Sequence, residues 1–305
     1  MRAVLHEFGV EFGAMASRCE VRIYAPDEAT ARAWADAAIA EVRRIEAKYS
    51  RYRDDSVTTA INRAAGGAPL EVDDETAALL DFGAHLYTAS GGAFDLTSGV
   101  LRRAWDFRSG RVPAQDEIDA LLALIGWSSV QWVRPHVRLP KPGMQIDFGG
   151  IGKEYAADRA AAALLAQGAR HGFVNLGGDV RAIGAQPDGA RWRIAIQHPR
   201  AGGGTAIGAI DIADEAVATS GDYERFFDKD GRRYCHILDP RTGWPAAHWQ
   251  CVSVCAPLAV AAGACSTIAM LKPADEALAF LRDQRVDFLA VDAAGHIHRR
   301  GSATD

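Results

Sequence analysis

Between Ala218 and Pro245 the sequence gathers residues able to do chemistry on a bound ligand. Thr219 and Ser220 supply hydroxyls beside Gly221, Asp222 and Tyr223 follow, and His236 leads into Asp239-Pro240-Arg241-Thr242-Gly243. An imidazole near hydroxyls can accept a proton near neutral pH. The Asp230-Gly231 pair between two partly alternating runs reads as a β-hairpin. Such a hairpin is expected to carry Thr219–Ser220 and His236 on antiparallel partners. A surface hairpin with an incidental histidine fits this stretch equally well.

A second dense stretch is MQIDFGGIGKEYAAD, Met144 to Asp158. An apolar strand is expected to end at Asp147, with a helix beginning near Lys153 after Gly149, Gly150 and Gly152. Backbone amides at such a strand-to-helix turn suit phosphate. The spacing matches neither the Walker loop nor G-x-G-x-x-G. A lysine in the first helical turn opposes the helix dipole, so Lys153 lacks a local rationale unless it serves an anion. Gly91-Gly92 lets the backbone approach a ligand, and Phe94 with Asp95 would cover and hydrogen-bond it. A helix stop followed by a strand fits those residues as well. Tyr52, in a polar turn, reads either as a lid for a planar ligand or as an ordinary exposed tyrosine. Asn175-Leu176-Gly177-Gly178-Asp179 repeats the strand-then-glycine pattern.

The elements that must position these groups are mixed. Helices are expected from Pro26-Asp27 to Tyr49 (stripe Trp34, Ala38, Val42, Ile45, Tyr49), over Asp74–Ser90, around Ile118–Ile125, from Pro257 to about Leu271, and over Ala274–Arg282. Strands are expected at Cys19–Tyr24, Val130–Val133 with Val137–Leu139, Phe173–Leu176, Trp192–Ile196 and Val252–Cys255. Phe288–Val291 pairs with His296–Arg299, Ala201–Gly204 is a flexible loop, and Gly301–Asp305 frays. Without strict βαβ alternation the class is α+β, with largely antiparallel sheets and packed helices.

With 305 residues, 49% apolar, the chain can bury one large core or two closely packed ones. A net charge of −5 without basic runs excludes general nucleic-acid binding, so an anionic ligand would need a local pocket of donors. Five cysteines show neither C-x-x-C nor a zinc pattern and read as reduced, mostly buried thiols. No apolar stretch approaches the roughly 20 residues of a membrane span. No basic segment leads into an apolar run at the N-terminus, so no signal peptide is expected. The cytoplasm is the default location, or the periplasm if the chain is a trimmed mature form.

Taken together, Gly92-Ala93-Phe94-Asp95, Asp147-Phe148-Gly149-Gly150-Ile151-Gly152-Lys153, Asn175–Asp179, Thr219–Tyr223 and His236–Gly243 resemble the motifs of the ApbE family, the FAD:protein FMN transferases. The likeness runs from about Met15 to Leu271 and implies a single ApbE-like domain over 1–305, with an ordered core of about 15–300. It implies an enzyme that cleaves FAD, attaches FMN to a Ser or Thr hydroxyl of a target flavoprotein and releases AMP. Met15, Tyr52, Ala93, Phe94, Asp95, Asp147 and Lys153 would then contact FAD, and His236 matches the family's essential histidine. Gly150, through its carbonyl, and Thr267, through its hydroxyl, would hold Mg²⁺. Two departures stand out. Met15-Ala16-Ser17 replaces Met-Gly-Thr, and the family's metal-binding aspartate falls on Gly263. Mg²⁺ is therefore expected to bind weakly without FAD, and Gly263→Asp to tighten it if that backbone tolerates a side chain. An FAD pyrophosphatase and a non-catalytic FAD-binding protein are the alternative functions.

Overall fold

The computed structural model describes residues 4–201 and 204–304. It opens with the hairpin β1 (His6–Ala14) and β2 (Ser17–Ala25). The turn residues Met15 and Ala16 both take positive φ, 55° and 54°, the geometry that follows the strands' right-handed twist. Asp27 caps α1 (Glu28–Tyr49) by accepting from the Thr30 amide, and the apolar stripe Ala31, Ala35, Ala38, Val42, Ile45 and Tyr49 is buried. After α2 (Val57–Arg63) and β3 (Leu70–Glu71), α3 (Asp74–Ser90) starts on the Asp73 cap and stops at Gly91, φ 67°.

A 3-10 helix over Leu96–Arg103 leads to α4 (Gln115–Leu122), β4 (Gln131–Val133), β5 (His136–Arg138) and α5 (Gly152–Gln167). Next come β6 (Gly172–Leu176), β7 (Asp179–Ile183), β8 (Trp192–Gln197), β9 (Ala206–Ile212) and β10 (Ala216–Gly221). The hairpin β11 (Phe226–Lys229) and β12 (Arg232–Cys235) precedes β13 (Trp249–Ala256), α6 (Ala259–Met270) and α7 (Ala274–Asp283). The chain closes with β14 (Asp287–Asp292), β15 (Ile297–Arg300) and β16 (Ala303–Thr304).

The framework is an eight-stranded sheet in the order β1-β2-β6-β7-β10-β13-β14-β15, antiparallel at every junction. Helices α1, α5 and α6 cover one face, with α7 beside α6, and the small sheet β16-β9-β8 packs against the other. Because side chains alternate along a strand, β13 is buried on both faces. Val252 and Val254 meet Ala262, Met270 and Leu281, while Cys251 and Cys255 meet Trp192, Ile210 and Ile212. Each fully buried aliphatic side chain contributes about 1.5–3 kcal/mol, so the face under α6 is firmly fixed. All five cysteines are free, and burial pushes the Cys235 thiol up to about 11 and Cys251 up to about 12. Among the described residues no helix is long and apolar enough to cross a membrane.

The α+β class holds, and several local expectations are corrected. The Asp230-Gly231 turn does make a hairpin, but its partners are β11 and β12. Thr219 and Ser220 lie instead on β10, in the large sheet between β7 and β13. Met144–Asp147 forms no regular strand. Ile146 exchanges two hydrogen bonds with the Asn62 side-chain amide, and the Asp147 amide donates to the Leu96 carbonyl at 2.9 Å. A 3-10 helix, not a strand, follows Asp95. The C-terminus does not simply fray, because Ala303 and Thr304 pair with Ile210 and Ala209. Regular structure thus runs from His6 to Thr304, beyond the expected core. Part of the Ala201–Gly204 loop, residues 202 and 203, lies outside the described residues.

Candidate active site

Met15, Tyr52, Ala93, Phe94, Asp95, Asp147, Gly150, Lys153, His236 and Thr267 all line one cleft of about 450 Å³. Seven separated segments meet there: the β1–β2 turn, the end of α1, the Ala93–Arg102 stretch, the N-terminus of α5, β10 with the residues after it, the His236 loop, and the end of α6.

The β1–β2 turn is pinned by the Met15 amide, which donates to Glu46 Oε1 at 2.7 Å. Positive φ at Ala16 is a backbone conformation that glycine adopts freely and that costs a non-glycine residue about 1–2 kcal/mol. Gly177, φ 61°, allows the turn's close approach, because a Cβ on it would stand 2.7 Å from Ser17 Oγ.

Tyr52 stands at the rim, 85% exposed, with the Arg51 guanidinium 5.8 Å from its ring centroid. Arg51 also donates to Asp147 Oδ2 at 2.8 Å, while Asp147 Oδ1 accepts from the Gly149 amide at 2.8 Å. Ala93 and Phe94 are buried, and the Phe94 ring packs where a Cβ on Gly150 would be, 3.1 Å away. The Asp95 carboxylate is occupied internally. Oδ1 accepts from the Thr97 amide and hydroxyl, at 2.7 and 2.6 Å, and Oδ2 from the Trp127 amide at 2.9 Å. Burial pushes that carboxyl up. Asp95 thus fastens the wall it belongs to.

Lys153, at the start of α5, has the local partner that the sequence did not reveal. Its ammonium pairs with Asp179 Oδ2, and Asp179 Oδ1 accepts from the Thr219 amide at 3.0 Å. This chain of contacts ties α5 to β7 and β10. Thr219 and Ser220 point to opposite faces of β10, as alternation requires. Thr219 Oγ1 bonds Ser253 Oγ at 2.8 Å, whereas Ser220 Oγ bonds Ser266 Oγ and Thr267 Oγ1 on α6, at 2.8 and 3.1 Å. The two hydroxyls therefore do not converge on His236 as a pair.

His236 follows β12, held by its amide donating to the Arg225 carbonyl at 2.9 Å. Its Nδ1 is buried without a hydrogen-bond partner. Burial, then the positive charges of Arg102, Arg225 and Lys153, lower its pKa to about 3. The imidazole is therefore neutral at pH 7, and its Nδ1 makes no hydrogen bond that would hold a proton.

Sequence reasoning missed Arg51, Arg102, Arg225 and Glu154, all of which line the cleft. Burial lowers the Arg102 pKa as well. Neither Arg102 nor Arg225 sits in a recognisable phosphate motif, so only the three-dimensional convergence marks them. With Lys153 they place cationic donors on the wall of a cleft that also carries the carboxylates of Glu46, Asp95, Asp147, Glu154 and Glu224. Among the described residues no three His, Cys, Asp or Glu side chains cluster as a metal site.

The ApbE family model matches residues 15–290. The FAD:protein FMN transferase of Treponema pallidum (strain Nichols) is 33% identical over 314 residues, covering 96% of this chain and 85% of the relative. That of Klebsiella pneumoniae (strain 342) is 34% identical over 235 residues, covering 76% and 71%. Among solved structures, the ApbE protein of Thermotoga maritima superposes with a TM-score of 0.89 at 34% identity, covering 96% of this chain and 97% of that one. The Pseudomonas stutzeri flavinyl transferase ApbE gives 0.83 at 30% identity, covering 98% and 93%.

Proposed function

The chain belongs to the ApbE family, and from that membership we infer that it is an FAD:protein FMN transferase whose active site is this cleft. The observation that supports the cleft most is the meeting of a neutral, buried imidazole with three cationic side chains in one pocket. Phosphoryl transfer asks for charge neutralisation on the phosphates, in-line placement, and a group that takes the nucleophile's proton.

Arg102, Arg225 and Lys153 bind the pyrophosphate, with the glycine turn of Gly149–Gly152 offering backbone amides. Phe94 and Tyr52 cover the rings, and Ala93 leaves room beside them. The acceptor is a flavoprotein presenting a Ser or Thr hydroxyl. Its oxygen attacks the phosphorus of the FMN half, an O–P bond forms, and the bond from that phosphorus to the bridging oxygen breaks, so AMP leaves. His236 takes the hydroxyl proton. Mg²⁺, when bound, supplies further charge neutralisation on the pyrophosphate, and the Gly150 carbonyl with the Thr267 hydroxyl would hold it. A buried carboxylate oxygen of Glu154 that lacks any donor makes the same corner suit a hard cation.

The test is incubation with FAD and Mg²⁺, with and without a flavoprotein acceptor domain. In-gel flavin fluorescence on the acceptor is expected, and His236→Ala abolishes it while FAD binding is largely kept. Free FMN without labelled acceptor would identify a pyrophosphatase instead. Unchanged bound FAD would identify a non-catalytic binder.

A further inference from the structure

The space beside Gly263 is filled by a carboxylate from another helix. A Cβ on Gly263 would stand 2.5 Å from Glu154 Cγ, 2.9 Å from Cδ and 3.0 Å from Oε1. Glu154 lies in the first turn of α5, which packs against α6 at this point. It is 8% exposed, and its Oε2 is buried with no hydrogen-bond partner. Its other oxygen stands 3.7 Å from the Lys153 ammonium, but Lys153 is committed more closely to Asp179. An unsatisfied buried acceptor costs about 1–3 kcal/mol, and more when charged. A side chain left this way on the wall of a ligand cleft fits a ligand that completes it.

We propose that Glu154 is the carboxylate ligand of the divalent cation in this chain, supplied from α5 in place of the aspartate that the motif resemblance implies at the position of Gly263. This rests on reading the cleft as the site of an FAD–metal complex. A cation needs a carboxylate oxygen at a point in space, not at a fixed place in the sequence. Gly263 clears the volume that the Glu154 methylenes occupy, so glycine at 263 and glutamate at 154 form one exchange. The oxygens that accompany it, the Gly150 carbonyl and the Thr267 hydroxyl, are the hard donors that Mg²⁺ accepts. The exchange also removes the reason to expect Gly263→Asp to help on its own. A second carboxylate there would collide with Glu154 and repel it.

The test titrates Mn²⁺ into the full chain with ADP bound, following free Mn²⁺ by electron paramagnetic resonance. ADP carries a pyrophosphate but no FMN to transfer, so the readout is independent of turnover. Glu154→Gln, nearly isosteric, is expected to raise the Mn²⁺ Kd about tenfold or more, and Glu154→Gly to do the same. Gly263→Asp alone is expected to lower Tm without tightening Mn²⁺. The double variant Glu154→Gly/Gly263→Asp is expected to return the Kd to within about threefold of wild type, because each change is harmful only without the other. Wild-type Mn²⁺ affinity in Glu154→Gln would overturn the assignment. So would a folded double variant that binds as weakly as Glu154→Gly. FMN transfer by the wild type is measured alongside. Its failure with Glu154-dependent Mn²⁺ binding intact would count against the transferase reading and leave the ligand assignment standing.

Discussion

His236 offers the sharpest quantitative check. An ordinary histidine titrates near 6.5. Burial, with Arg102, Arg225 and Lys153 around the ring, lowers His236 to about 3. If the neutral imidazole takes the proton, kcat/KM follows the neutral fraction in the free enzyme. At pH 5 an ordinary histidine is only about 3% neutral, a loss of roughly 30-fold from pH 8. The lowered value leaves it about 99% neutral, so kcat/KM should be flat from pH 8 to 5. The acid midpoint of kcat should lie above that of kcat/KM, because bound phosphates offset the three cations.

Stability gives a second readout of the same shift. The folded state holds fewer protons on His236 than the unfolded state does. Its contribution is therefore full above about pH 6.5 and is lost as pH falls through 6.5 toward 3. At pH 5 the loss is at most about 2 kcal/mol, and His236→Asn should remove that part of the slope in denaturant unfolding. The assays are initial rates across pH 4.5–8 at constant ionic strength and urea unfolding at pH 5 and 8. A histidine-dependent limb in kcat/KM with its midpoint between 6 and 7 would refute the reasoning.

Three further outcomes are expected. Lys153→Ala should raise the Kd of FAD about tenfold, the value of a charge-assisted hydrogen bond, and leave riboflavin binding unchanged in calorimetry. Equal losses would assign Lys153 to packing through Asp179. Tyr52→Ala, at an 85% exposed position, should keep Tm within a degree while weakening riboflavin, and no change in riboflavin Kd would remove Tyr52 from the site. Trp105 is buried, packs against Phe107, Tyr234 and Trp244, and donates to the Gly243 carbonyl at 2.8 Å. Trp105→Ala should cost about 3–5 kcal/mol in urea unfolding, and a cost below about 1 kcal/mol would show that the His236–Gly243 loop is anchored elsewhere.

The sequence marks segments that the structure brings to one cleft, His236, Lys153, Asp95 and Tyr52 by their chemistry and Met15, Ala93, Gly150 and Thr267 only through the resemblance. The Asp73 cap and the Gly91-Gly92 stop delimit α3 as Asp74–Ser90, the span read from sequence. The five glycine-bearing motifs each carry one wall of the cleft. What sequence could not supply is partnership across space. Asp230-Gly231 marks where the chain reverses, but says nothing of β10 pairing with β13 instead of β12. Asp95 reads as a ligand contact, and the sequence does not announce that its carboxylate also accepts from the Thr97 and Trp127 amides. Glu154 passes for one more charged residue in a helix, because its meaning lies in a missing side chain on α6. Thr304 pairs with a strand far earlier in the chain, which no terminal composition could announce.

The spatial order of the large sheet, β1-β2-β6-β7-β10-β13-β14-β15, is also the order of synthesis. No later strand must be threaded between two that have already paired, so the sheet can lengthen at a single growing edge as the polypeptide leaves the ribosome. An N-terminal portion can thus settle before the rest exists, which spares the nascent chain a long wait with its strands unpaired. The cleft follows a different schedule. Its walls include Met15 from the first hairpin and Thr267 from α6, so a pocket able to retain a dinucleotide exists only once nearly the whole chain has been made. Ribosome-bound chains stopped before α6 should accordingly resist protease through β10 yet fail to hold FAD.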